Sequence, residues 1–192
     1  FEFLRPHRSV PQTPWTAQSR WQLSPTRLAI LISGLALFGF GESLLIVSTL
    51  GNSPWTVLAQ GISKQLGLSV GIATVIVSTI VLSLWIPLKE KPGFGTLANI
   101  IVIATSLDFG INNFPAQYEF FSRLVYVVLG VALVGVGSSL YITCGLGPGP
   151  RDGWMTALHL RTGIPVGRVR LAIEAFVLVL GWLLGGTVGI GT

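Results

Sequence analysis

In the run FGFGESLL, Glu42 places a carboxyl group about fifteen residues into an apolar stretch that opens at Leu28. An acid at such depth is costly if charged and unpaired. It points to proton coupling or cation binding, or else to a neutral, hydrogen-bonded carboxyl near the helix end. Two turns, LGNSPWT from Leu50 and LGPGPRDGW from Leu146, carry the other candidate chemistry. Ser53-Pro54 and Gly149-Pro150 suit the N-cap and first position of a helix, where proline's missing N–H costs nothing. Free backbone N–H groups at such starts attract anions. Asn52, Ser53, Trp55, Arg151 and Asp152 are therefore the candidate solute-binding side chains, and Glu42 the ion-coupling acid. Arg151 would hold an anionic group while Asp152 caps or neutralises it; the alternative is a structural Arg-Asp clasp. Glu174 stands four residues after Arg170, where the two can pair on one helix face. Asp108, with Asn112 and Asn113 near the end of its span, is expected to face water. Nothing forms a catalytic set: His7 and His159 lack metal-spaced companions, and no phosphate-cradling loop occurs. The expectation is a protein that is not an enzyme and uses no cofactor or metal.

The elements that must position these groups lie in a chain of 192 residues, 51% hydrophobic and 10% charged, whereas soluble domains carry about 25% charged residues. Its apolar runs approach the roughly 20 residues a helix needs to cross about 30 Å of hydrocarbon. It reads as an integral membrane protein. The formal charge of +5 sits beside apolar spans and forms no aromatic-interleaved patch, which signals topology and excludes nucleic acid as a partner. The single cysteine, Cys144, permits no intrachain disulfide. Residues 1–26 form a polar, basic, proline-bearing tail without the apolar core of a signal peptide, expected to be irregular or interfacial.

Sliding the chain on itself by 96 residues lays RLAILISGLALFGFGESLLIVSTLG from Arg27 over RLVYVVLGVALVGVGSSLYITCGLG from Arg123. The same shift carries Pro54 onto Pro150, Gly67 onto Gly163, and GFGT from Gly93 onto GIGT from Gly189. Two repeats follow, 27–122 and 123–192. Each holds a spanning helix (Leu28 to Thr49; Leu124 to Gly145), a short proline-started helix (Pro54 to Leu66; Pro150 to Thr162) and a second span (Ser69 to Leu88; Arg168 to Thr187). Gly95 to Phe114 is a further span between the repeats. Each short helix is too short to cross; it lies flat at the interface or re-enters the membrane, two placements the sequence leaves open. Gly34, Gly39, Gly41 and Gly130, Gly135, Gly137 put small residues at near-helical spacing for close helix packing.

The expected fold is thus an all-α polytopic membrane protein with five transmembrane helices in this chain and a sixth in the natural protein. With the tail in the cytoplasm, Arg5, Arg8, Arg20, Arg27, Lys89, Lys91, Arg151, Arg161, Arg168 and Arg170 fall inside, against Lys64 and Arg123 outside. Three crossings per repeat is an odd number, so the second enters from the opposite face and the repeat is inverted.

The stretches GNSPWTVLAQGISKQLGLSVG, WIPLKEKPGFGTLAN and GLGPGPRDGWMTALHLRTGIPVGRVRLAIEAFVLVLGWLLGGTVGIGT closely resemble the YczE/YyaS/YitT-type bacterial integral membrane proteins, over Arg27 to Thr192. The resemblance implies a multi-pass protein of the bacterial inner membrane, uncharacterised in activity and closer to a transporter than to an enzyme, with no site residues to carry over. The reading is a small secondary transporter or permease with the lipid bilayer and a small, anionic solute as partners. The alternative is a non-transporting accessory or assembly subunit of a larger membrane complex, or a homo-oligomer.

Overall fold

Proline and glycine punctuation sets the helix ends. In the computed structural model, which describes residues 12–192, α1 (Pro25–Ser48) starts with Pro25 in its first turn and the Ser24 hydroxyl accepting from the Arg27 N–H at 3.3 Å. Then come α2 (Pro54–Leu66), α3 (Val70–Ser83), the one-turn α4 (Trp85–Leu88), α5 (Phe94–Asn113), α6 (Phe120–Thr143), α7 (Pro150–Thr162) and α8 (Val166–Leu183). No strand occurs among the described residues. The short helices α2 and α7 have the expected bounds, each closed by a left-handed glycine, Gly67 at φ 66° and Gly163 at φ 70°. Pro87, inside α4, has no N–H to extend a helix, and the second span accordingly divides after Ser83.

Among the described residues four segments are long and apolar enough to cross a membrane: Pro25–Ser48, Val70–Leu88, Phe94–Asn113 and Phe120–Thr143. The expected fifth span, α8, differs in composition, because its 18 residues include Arg168, Arg170 and Glu174.

The most extensive helix pair is α1–α6. A Cβ added at Gly34 would lie 3.0 Å from the Gly137 carbonyl oxygen, and one at Gly41 would lie 2.7 Å from that of Gly130. Ascending residues on one helix meet descending residues on the other, so the two run antiparallel with their backbones in contact. Gly39 packs instead on α5, 2.7 Å from the Ile103 carbonyl oxygen. Gly135 packs on nothing: no atom lies within 4 Å of an added Cβ, which corrects its assignment to helix packing within the described chain.

Each short helix leans on an element distant in the chain. α2 packs along α8 and α7 against α3 and α4, and a single apolar cluster joins Trp55, Leu58, Val77, Val81, Met155, Val169 and Val177. Sizes are exchanged at these two contacts. Gly181 of α8 receives Val57 and Leu58 of α2, while the positions 96 residues away invert the volumes, with Trp85 lying over Gly153. The loops cross over too: Gly95 N–H donates to the Leu146 carbonyl at 2.8 Å, and Gly191 N–H to the Leu50 carbonyl at 2.9 Å.

Basic groups sort to two ends. Arg20 approaches Glu90 and donates to the Lys91 carbonyl, and Arg161 donates to the Leu88 carbonyl. At the opposite end Arg123 donates to the Ser48 carbonyl and Lys64 to that of Gly185. Of the tail, residues 1–11, with Arg5, His7 and Arg8, lie outside the described residues. The remainder is irregular and tied to the end of α6: Ala17 N–H donates to the Cys144 carbonyl at 2.9 Å, and Trp15 Nε1–H to the Thr143 hydroxyl at 3.1 Å.

Asp108 departs from expectation. One carboxylate oxygen accepts from the Ser69 hydroxyl at 2.6 Å and the other from the Gly71 N–H at 2.7 Å. It caps α3 from α5 rather than facing water, because the free N–H groups of a helix start attract a carboxylate.

Candidate functional site

Glu42 stands six residues before the end of α1, about 9 Å along the axis at 1.5 Å per residue. Its carboxylate nevertheless accepts from two groups at the start of α2, the Ser53 hydroxyl at 3.0 Å and the Thr56 hydroxyl at 2.6 Å. The chain after Thr49 has therefore turned back into the bundle before α2 begins. Ser53 occupies the N-cap position but its hydroxyl caps no backbone N–H, being spent on Glu42. With 2% of its surface exposed, the carboxylate is held by two hydroxyl donors and the positive end of α2.

The start of α7 is set equally deep. An added Cβ at Gly149 would lie 3.1 Å from the Asn99 side-chain nitrogen, and Asn99 lies more than one turn inside α5. The Pro150 carbonyl accepts from Trp85 Nε1–H at 2.9 Å. Asp152, in the first turn of α7, accepts from the Tyr141 hydroxyl at 2.7 Å.

Between the two helix starts lies a cavity of about 360 Å³, within the range of small-molecule sites. Its lining contains seven pairs related by the 96-residue shift: Phe38 and Val134, Glu42 and Ser138, Ser53 and Gly149, Pro54 and Pro150, Trp55 and Arg151, Thr74 and Arg170, Ser78 and Glu174. Positions 96 residues apart thus line one cavity with different chemistry. The charges fall on one member of a pair: Glu42 in the first repeat, Arg151, Arg170 and Glu174 in the second.

The Trp55–Arg151 pair meets directly, the guanidinium carbon lying 5.2 Å from the indole centroid, a cation–π contact worth about 0.5–2 kcal/mol. Among the described residues Arg151 has no carboxylate at ion-pair distance. The Arg-Asp clasp is therefore not formed; Asp152 is engaged by Tyr141, and Arg151 lies over Trp55. Arg170 and Glu174 do pair, at 2.8 Å.

Of the six sequence candidates, Glu42, Ser53, Trp55, Arg151 and Asp152 line the cavity together. Asn52 does not. It is fully buried, donating to Gln60 at 3.2 Å and to the Thr187 carbonyl at 3.4 Å, while the Gln60 side-chain oxygen accepts from Thr187 N–H. It holds the chain after α8 against α2. Sequence reasoning missed Arg170 and Glu174 as lining groups, and with them Thr74, Ser78, Asn99 and Tyr141. The signal lay in the repeat register, where both second spans carry polar residues at the same two places one helical turn apart. No group of three or more His, Cys, Asp or Glu that could hold a metal ion occurs among the described residues.

Residues 25–192 match the model of a family of unknown function, DUF6198. An uncharacterized protein of Haemophilus influenzae is 42% identical over 96% of this chain and 85% of its own length. The uncharacterized membrane protein YczE of Bacillus subtilis is 33% identical over 86% of this chain and 78% of its own, and the uncharacterized protein YyaS of the same organism 29% identical over 83% and 81%. No solved structure matches the chain.

Proposed function

This chain belongs to the family of unknown function DUF6198, a helical membrane protein, and we propose that it is a small secondary transporter or permease of the bacterial inner membrane. Its cargo is a small anionic solute, taken into the cavity between the starts of α2 and α7. The observation that carries the reading is the cavity's lining by shift-related pairs from both repeats. A site built on the axis between two repeats can be exposed to one side and then the other by rocking one repeat against its mate.

The reading takes the repeat as inverted, with five crossings, α8 the fifth, and the N-terminus in the cytoplasm. Antiparallel packing of α1 and α6 supports inversion, since two helices at equivalent places in a parallel repeat would cross in the same direction. The gathering of Arg20, Lys91 and Arg161 at one end, with Arg123 and Lys64 at the other, supports the orientation. The α8 charges are consistent with a crossing helix because Arg170 and Glu174 face the cavity and each other. Both short helices are then re-entrant, their unwound starts lining a cavity, which is where such backbone is tolerated.

The α2 start already holds the Glu42 carboxylate. The α7 start and Arg151 remain for the solute, so one anionic group is accommodated rather than two. Glu42, the acid bonded at the opposite start, is the coupling residue.

Solid-supported-membrane electrophysiology on proteoliposomes, with a panel of small carboxylates and inorganic phosphate, tests the reading. Transient currents with at least one member, reduced tenfold or more in Arg151→Ala and made insensitive to a pH gradient in Glu42→Gln, support it. Absence of current across the panel refutes it. Loss of complex assembly on deleting residues 1–24, with both substitutions silent, instead establishes the accessory-subunit role.

A further inference from the structure

We infer that residues 12–20 of the tail are a removable lid beside the cavity, at the end where Arg20, Lys91 and Arg161 gather, and that Arg27 takes over the carbonyl the lid releases. The inference rests on the reading above only in taking the cavity as a solute site.

The two ends of the α1–α6 pair are tied differently. α1 is followed by Thr49 at φ 56° and α6, 96 residues on, by Gly145 at φ 68°. Their N–H groups donate to the Ile46 carbonyl at 3.1 Å and the Ile142 carbonyl at 3.2 Å, so both helices finish in the same turn. At the first turn, Arg123 from the start of α6 donates to the Ser48 carbonyl at 2.7 Å and to the Thr49 hydroxyl. Arg27, 96 residues earlier, stands near the start of α1. Its guanidinium donates to the Trp15 carbonyl at 2.9 Å and the Gln22 carbonyl at 3.2 Å, and the Cys144 carbonyl accepts from Ala17 N–H at 2.9 Å. The tail is interposed where, at the other end, an arginine holds the helix end directly.

Gly145 makes the room. An added Cβ would lie 3.1 Å from the Ala17 carbonyl oxygen and 3.2 Å from the Thr16 methyl, whereas Thr49 shows that the turn itself accepts a side chain. A second cavity, of about 310 Å³, is lined by Gln12, Thr16 and Arg20 of the tail and by Ile142, Gly147 and Pro148 of the chain leading to α7. Ile142 also lines the central cavity, so the two spaces share a wall.

Lifting the lid strands few groups. Ser48 and Cys144 are both 0% exposed, and a buried carbonyl needs a donor. Arg123 supplies one, and Arg27, released from Trp15, supplies the other as a charge-assisted bond. The Thr143 hydroxyl, which accepts from Trp15 Nε1–H, keeps its own donation to the Ser139 carbonyl at 2.7 Å. A segment whose partners have substitutes exchanges readily, as gating lids do.

The test reads thiol access, not flux. Ser138→Cys, in the central cavity, is the reporter, in a Cys144→Ala background in lipid nanodiscs with both faces open to a water-soluble methanethiosulfonate. A chain lacking every residue before Ser19 removes the lid. Gly145→Thr copies the other turn, crowding out Ala17 and offering Arg27 the hydroxyl that Arg123 has. Both should react several-fold faster than the parent. The inference is overturned if either folded variant reacts at the parental rate. Arg27→Ala should lower the thermal midpoint further in the lidless chain than in the parent, because there it leaves the Cys144 carbonyl without a donor; an equal fall in both overturns the exchange. Access is read without solute, so a protein that opens in this way yet carries nothing loses the transport reading alone.

Discussion

Replacing Glu42 separates a buried charge held by hydroxyls from an acid that is incidental. Thr56 and Ser53 each have one proton, and both reach the Glu42 carboxylate; their own oxygens lie 3.0 Å apart. In Glu42→Ala, Ser53 can turn its proton to Thr56, but Thr56, 2% exposed, is left with a donor and no acceptor. An orphaned buried donor costs about 1–3 kcal/mol. A chain of this length loses about 2–4 °C of midpoint per kcal/mol, so the expected fall is on the order of 2–12 °C. Glu42→Gln keeps one acceptor for Thr56 and offers Ser53 a donor, leaving a loss near 1 kcal/mol, the difference between charged and neutral hydrogen bonds. Thermal unfolding followed by size-exclusion of the soluble fraction ranks the variants. The decisive variant is Glu42→Ala with Thr56→Val. Removing the orphan should restore part of the midpoint lost in Glu42→Ala. A double variant as unstable as the sum of the two singles, or Glu42→Gln as damaging as Glu42→Ala, refutes the hydrogen-bond account.

Asp108→Ala should cost about 0.5–2 kcal/mol by removing the acceptor at the start of α3, read as a lower midpoint and as faster hydrogen exchange over residues 70–74. Gly41→Leu should abolish stable monodisperse protein, because the new side chain meets the α6 backbone at Gly130; size-exclusion of the detergent extract shows it. Cys144 is fully buried, so a water-soluble maleimide should label it only after denaturation.

Helix identities and the short-helix bounds were legible in the sequence because proline and glycine act locally, and Pro54, Gly67, Pro150 and Gly163 each set an end without help from neighbours. Five of the six polar candidates line one cavity, and four of them, Glu42, Ser53, Trp55 and Arg151, stand at positions whose partners 96 residues away line it too. The failures concern contacts whose partner lies far along the chain. From sequence Asp108 reads as solvated, since nothing near it in the chain shows that Gly71 N–H is within reach. The alternative of an Arg151-Asp152 clasp rests on their adjacency, yet adjacent residues on a helix do not face each other. Asn52 sits beside the cavity in sequence, but its side chain turns to Gln60 and Thr187.

The crossed contacts bear on biogenesis. α2 is floored by α8, and the Leu50 carbonyl receives its amide from Gly191, yet well over a hundred residues separate the end of α2 from the end of α8. At 5–20 residues per second the ribosome needs on the order of 10 s to bridge that gap. For that interval the nascent chain holds a finished short helix without the surface that will bury it. Headgroups or an insertase must shelter it meanwhile, and closure around α2 waits on α8 and Gly191 to emerge.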